Sequence, residues 1–94
     1  MTALFVLGQT VGTPGALNLL QRLGVNPLAL LQRHVSGDWG DLEPEDVQAN
    51  QEALRTGGRI FSAYRLGPED AQGKIWVITE ADRSATCLLL PEEY

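Results

Sequence analysis

Four apolar residues in a row, Leu4-Phe5-Val6-Leu7, open the chain and stop at Gly8, the pattern of a short buried strand. Thr13-Pro14 has the chemistry of a helix start: a hydroxyl to accept from the first turn, and a proline whose missing N–H would be unpaired there anyway. Leu17, Leu20 and Leu23 follow at a spacing of about 3.6 residues, and Gly24 marks the stop. Asn26-Pro27 repeats the start signal, with Leu28, Leu31 and Val35 as the next apolar stripe, so the pattern predicts two short helices joined by a tight turn. An acidic loop from Asp41 to Glu43 leads into a third predicted helix, Pro44 to Thr56. Its first-turn acids and Arg55 in its last turn complement the helix dipole. Val47, Ala53 and Leu54 supply a thin apolar stripe, and Gly57-Gly58 ends it. The pattern then turns to strands rich in Ile, Val, Phe, Tyr, Trp and Thr: Arg59 to Leu66, Lys74 to Glu80 and Ala85 to Leu90. A polar hairpin loop, Gly67 to Gly73, and a tighter turn, Ala81 to Ser84, connect them.

The predicted order is β-α-α-α-β-β-β. Three consecutive strands with short connections predict an antiparallel meander, so the expected class is α+β: a three- to four-stranded antiparallel sheet covered on one face by helices. No linker or internal repeat interrupts residues 1–94, which read as a single domain. An edge strand such as Ala85 to Leu90 could pair with a second copy.

Composition changes this picture little. The chain is 44% hydrophobic and 20% charged, values of a folded domain and not of a disordered one. Its single cysteine, Cys87, excludes an internal disulfide, and no apolar run approaches the ~20 residues of a membrane span. A cytoplasmic protein with no membrane contact is expected. Charge matters more, because the net −5 is unevenly placed. Residues 1–37 carry Arg22 and Arg33 and no acid, whereas residues 38–54 carry Asp38, Asp41, Glu43, Glu45, Asp46 and Glu52. A field of this sign repels phosphate backbones and suits solubility or a basic protein partner.

Several clusters could carry chemistry. Gly8 to Gly15 follows a strand and opens a helix, but it lacks the Gly-Lys-[Ser/Thr] ending of a phosphate-binding loop and reads as a turn plus helix cap. His34, the only histidine, sits near a helix C-terminus, where the dipole favours its cationic form; it could be a general acid or simply packed. With no second histidine and no nearby cysteine, a transition-metal site is not expected, and the acids from Asp38 to Asp46 lack the spacing of a calcium loop. Arg59 and Arg65 fall on one face of their strand with Phe61 and Ala63, whereas Ile60, Ser62, Tyr64 and Leu66 fall on the other. The Thr79-to-Thr86 hairpin gathers hydroxyls, carboxylates and Arg83, either as a salt-bridged turn or as part of a site. Trp76 reads as a buried anchor. Trp39, flanked by Asp38 and Gly40, reads as an indole displayed for contact.

Arg33-His34-Val35-Ser36-Gly37-Asp38-Trp39-Gly40-Asp41, Asn50 with Ala53-Leu54, Gly58-Arg59, Ser62-Ala63-Tyr64, Ile75 to Ser84 and Leu89 to Tyr94 together resemble a family of small bacterial proteins of plasmids and integrative elements, often described as plasmid-related proteins. The resemblance covers nearly the whole chain. It implies a mobile-element setting, in which conjugation accessories, toxins and anti-defence proteins are frequent cargo, and it brings no catalytic residue set with it. The layout also resembles that of barnase- and RelE-type ribonucleases, a likeness at the level of fold only.

Three functional expectations follow. The first is a mobile-element accessory protein, anti-defence or conjugation-related, that binds a protein partner through Asp38, Trp39, Asp41 and Glu43 without catalysis or cofactor. The alternative is a metal-independent ribonuclease with His34 as acid or base, Arg59 or Arg83 for phosphorane charge, and Thr79 or Ser84 as positioning hydroxyls. Nucleic acid is expected as a partner only under that alternative. The third is an anion or small-ligand sensor using the Arg-bearing face of the sheet.

Overall fold

The fold is taken from a computed structural model that describes residues 3–66 and 73–94. The helix signals act as the sequence predicts. Thr13 accepts from the Ala16 amide and starts α1 (Pro14–Leu23), which Gly24 closes. Asn26 accepts from the Leu28 amide and starts α2 (Pro27–Val35). Glu43 precedes α3 (Pro44–Thr56), which ends at Gly57. After these come β2 (Ile60–Leu66), β3 (Gly73–Thr79) and β4 (Ala85–Leu89), then one 3-10 turn at Pro91–Glu93. The predicted polar connection Gly67 to Gly73 lies, apart from Gly73, outside the described residues.

The first strand is displaced from its predicted place. Leu4 to Leu7 is irregular, with Leu4 and Val6 exposed and Phe5 and Leu7 turned inward. β1 is the polar stretch Gln9–Gly12. Gly8 explains the shift. At φ 67° its backbone lies against Arg83 and Ser84 so closely that a Cβ would overlap their main chain. That approach docks Gln9 onto β4, and the Gln9 amide donates to the Ser84 carbonyl at 3.0 Å.

The fold is α+β with the element order the sequence predicts, but the sheet is mixed. β2–β3 and β3–β4 pair antiparallel as a meander, while β1 pairs parallel to β4, giving the order β1-β4-β3-β2. Strand β4 is therefore internal, and the expected pairing of a second copy along Ala85 to Leu90 is ruled out: both of its edges are already hydrogen-bonded within the chain. The edges are β1 and β2.

One sheet face is covered by helices. Tyr64, Leu66, Ile75, Val77 and Leu88 pack there against Ala16, Leu19, Leu20, Leu30 and Leu31. A second apolar cluster, Trp39, Ala53 and Ile60 with Phe5, Leu42, Val47 and Leu54, fills the space under α3. Among the described residues, no α-helix lies on the other face of the sheet.

Candidate functional site

The Arg33–Asp41 segment, the most distinctive motif of the sequence, closes a sheet edge. In β2 the Ala63 amide donates to the Trp39 carbonyl at 3.1 Å, and the Asp41 amide donates to the Ala63 carbonyl at 2.7 Å. Gly40 bridges to Ala63 at φ 75°, where a Cβ would overlap the Ala63 carbonyl oxygen. Asp38 is held by Arg33 (Nε–Oδ2 2.7 Å) and accepts from the Gly40 amide. The Arg33 hydrogen bond keeps the Asp38 carboxyl below the usual carboxylate range. Arg33 also lies over the Tyr64 ring at 4.5 Å, and the Tyr64 hydroxyl donates to the Asp38 carbonyl. Burial pushes that phenol up to about 12.

This arrangement corrects the expectation of a displayed indole. Trp39 is 8% exposed, with its ring against Phe5 and the edge of His34. Two glycines and two carboxylates beside a tryptophan did suggest a presented loop; instead the glycine lets the backbone reach β2 and the carboxylate caps the bend. Asp38, Asp41 and Glu43 remain exposed, but the aromatic ring they were expected to frame is inside.

His34 is fully buried, with Nδ1 2.6 Å from the Ser62 hydroxyl and Nε2 2.9 Å from the Thr79 hydroxyl. Thr79 continues to Thr86 at 2.7 Å, and Thr86 to the Leu7 carbonyl at 2.7 Å. The direction of each bond follows from that last oxygen and from the burial of the ring. A carbonyl only accepts, so Thr86 spends its proton on Leu7 and must accept from Thr79. Thr79 must then accept from His34 Nε2–H, and because the buried ring is neutral and carries one proton, Nδ1 accepts from Ser62. Burial keeps the imidazole neutral, since desolvation lowers its pKa to about 4.

Of the residues expected to form a ribonuclease site, only His34 and Thr79 come together. Arg83 reaches backbone carbonyls: Gly58 at 2.6 Å, Glu80 and Ala81 at 3.1 Å, and Ala53 at 3.3 Å. It ties the β3–β4 turn to the end of α3 through the Gly58 and Ala53 carbonyls. The expected salt-bridged turn is replaced by this fan of carbonyls, since Asp82 caps the Ser84 amide and Glu80 faces Arg59 at 3.7 Å. Ser84 is exposed on that turn and serves β1 through its carbonyl. Arg59 lies on the far side of the sheet from His34.

That far side holds a groove. Phe61, Trp76 and Ile78 alternate outward from β2 and β3. Phe61 meets Trp76 edge-on at 5.0 Å, and Trp76 meets Tyr94 at 5.6 Å. Arg59 donates to the Tyr94 hydroxyl at 3.0 Å, and that bond raises the guanidinium pKa. Together these five residues line a groove of about 240 Å³. Cys87 and Leu89 extend the apolar floor toward β4, and burial raises the Cys87 thiol pKa. Arg65 and Lys74, a cross-strand pair, add positive charge to the same face.

The sequence located Arg59, Phe61 and Arg65 on this face by strand alternation, but read Trp76 as a core anchor and did not use Tyr94. The missing signal was register: Ala63 faces Trp76, and Phe61 faces Ile78. The final turn that returns Tyr94 onto the sheet has no counterpart in the periodicity.

Among the described residues, no group of three or more His, Cys, Asp or Glu side chains is placed to hold a metal ion, and no helix is long and apolar enough to cross a membrane. Comparison with protein families, curated proteins and solved structures found no match to this chain.

Proposed function

We propose that this chain is a protein-binding accessory factor whose contact surface is the helix-free face of the sheet. The observation that carries this reading is the convergence of Trp76, Tyr94, Phe61 and Arg59 around one groove. Tryptophan, tyrosine and arginine are the residues that dominate protein–protein affinity when they cluster in a concave, desolvated patch. A groove of about 240 Å³ is below the usual range for drug-sized ligands and suits one or two anchoring side chains. Arg59, Arg65 and Lys74 share this face with Glu80, Glu92 lies beside Lys74, and Glu93 acts on Cys87, so the charge here is mixed, with Arg59 the cation at the groove itself. With Arg59 at the rim, the partner segment carries a carboxylate next to an aromatic or branched apolar residue inserted beside Trp76. In the mobile-element setting that the resemblance implies, such a factor acts in anti-defence or conjugation by occupying its partner.

The ribonuclease alternative has less support. His34 has no free nitrogen to offer a substrate, and Arg59 and Arg83 lie apart from it.

The test titrates the ¹⁵N-labelled chain with short peptides combining acidic or basic flanks with an apolar centre, and with single-stranded oligonucleotides. An acidic, aromatic-centred peptide is expected to shift the Trp76 indole N–H and leave that of Trp39 in place. Tyr94→Ala and Arg59→Glu, both at exposed positions, are expected to weaken it about tenfold or more. Binding of oligonucleotides instead, with stacking on the same rings, would replace the protein partner with a nucleic acid. Peptide binding that neither substitution alters would remove this face from the function.

A further inference from the structure

The two edges of the sheet are treated differently. Along β2, the Asn50 amide group pairs with Phe61 in both directions: the Asn50 nitrogen donates to the Phe61 carbonyl at 2.6 Å, and the Phe61 amide donates to Asn50 Oδ1 at 3.0 Å. The Trp39–Asp41 segment does the same for Ala63. Along β1 no such device is found among the described residues. The Gln9 and Thr13 amides point inward to the carbonyls of Ser84 and Leu88. Amides alternate sides along a strand, so the N–H and C=O of Thr10 and Gly12 face outward. Apolar side chains flank this open edge on both faces of the sheet. Val11, in register with Cys87, stands on the helix-free face, and Leu17 of α1 lies over Gly12 on the other; each is 44% exposed. Natural edge strands are usually blunted by charge, proline or a covering segment.

The edge strand itself carries no charge; Glu93 stands at its end, where its carboxylate accepts from the Thr13 hydroxyl. The first 21 residues contain no Asp, Glu, Lys or Arg, in a molecule of net charge −5. Two copies of an acidic protein repel least where acids are few, and neither β1 nor α1 carries an acid of its own. From this edge, its two apolar flanks and its neutrality, we infer that β1 is the contact for a second copy of this chain. The two β1 strands pair antiparallel about a two-fold axis, with Val11 and Leu17 of each copy closing over the new ladder. Pairing over four residues places the dimer in the small, reversible class of interfaces. It is independent of the groove at Trp76.

Sedimentation equilibrium of the full chain over a wide concentration range tests this. The mass is expected to rise from the 10.2 kDa chain toward twice that value as concentration reaches the high micromolar range. Val11→Lys puts a like charge on each partner, and Thr10→Pro deletes an outward amide without touching the ladder to β4. Each is expected to weaken the dimer at least tenfold, while circular dichroism melts report whether the monomer still folds. Tyr94→Ala, on the groove, is expected to leave dimerisation unchanged. A wild-type chain that stays monomeric throughout overturns the inference, as does a dimer of unchanged strength in both folded edge variants, or one that Tyr94→Ala disrupts.

Discussion

His34 accepts from one hydroxyl, donates to another, and is otherwise enclosed by the rings of Phe5 and Trp39. Protonation would give Nδ1 a hydrogen where Ser62 already presents one, and would leave a charge with no carboxylate among its hydrogen-bond partners. The folded pKa of about 4 lies below the unfolded value of 6.5, so the unfolded chain takes up the proton first as the solution is acidified. The stabilising contribution is therefore complete above pH 6.5 and is lost as pH falls toward 4. The loss amounts to about 3 kcal/mol. Chemical denaturation at stepped pH is expected to show it, and His34→Gln is expected to flatten the profile across that window. The side chain itself was plain in the sequence as the only histidine; its role was not. Ser62, Thr79 and Thr86 lie 28, 45 and 52 positions away, and a network drawn from three strands leaves no local pattern. Local chemistry was easier to read. Thr13, Asn26 and the prolines after them act within one turn, and the structure uses them as caps.

Helix α3 contributes more than its thin apolar stripe suggests, because Asn50 reaches the main chain of β2. Asn50→Ala would leave a partly buried N–H and C=O unpaired, a loss of about 1–3 kcal/mol. Asn50→Asp keeps the acceptor for the Phe61 amide but sets a carboxylate oxygen against the Phe61 carbonyl. It is expected to destabilise at least as much, and thermal melts of both variants would show whether the pairing runs in both directions. In each, the Phe61 amide is expected to exchange with solvent faster than in the wild type. Element type was legible wherever a cap or a run of β-branched residues announced it. The first strand was not, since its position depends on Gly8 fitting against Arg83 and Ser84, a contact made across most of the chain. The parallel pairing of β1 was hidden for the same reason: an antiparallel meander is a local inference, whereas the direction of the fourth strand is decided by the path of three helices.

Charge is unevenly placed: residues 3–21 carry none, acids run from Asp38 into α3, and Arg59, Arg65 and Lys74 share the helix-free sheet face with Glu80. If the groove receives an acidic segment, salt acts chiefly on the encounter. Raising ionic strength from about 0.05 to 0.5 M is expected to slow peptide association several-fold in stopped-flow measurements, with little change in dissociation. Dissociation depends on the seated aromatic anchor and is expected to respond instead to Tyr94→Ala. The sequence showed the acidic block but suggested an exposed Trp39, because the exposed acids and the buried indole are neighbours in the chain with opposite fates.

The pairing of Asn50 and the Trp39–Asp41 segment with β2 limits growth. A sheet able to recruit at both margins would add copies without end and lay down a fibre. Here Phe61 and Ala63 of one margin are already paired within the chain, so two copies joined at their free strands would offer little open edge to a third. Assembly is then expected to stop at a pair, and concentrating the protein should produce no filaments.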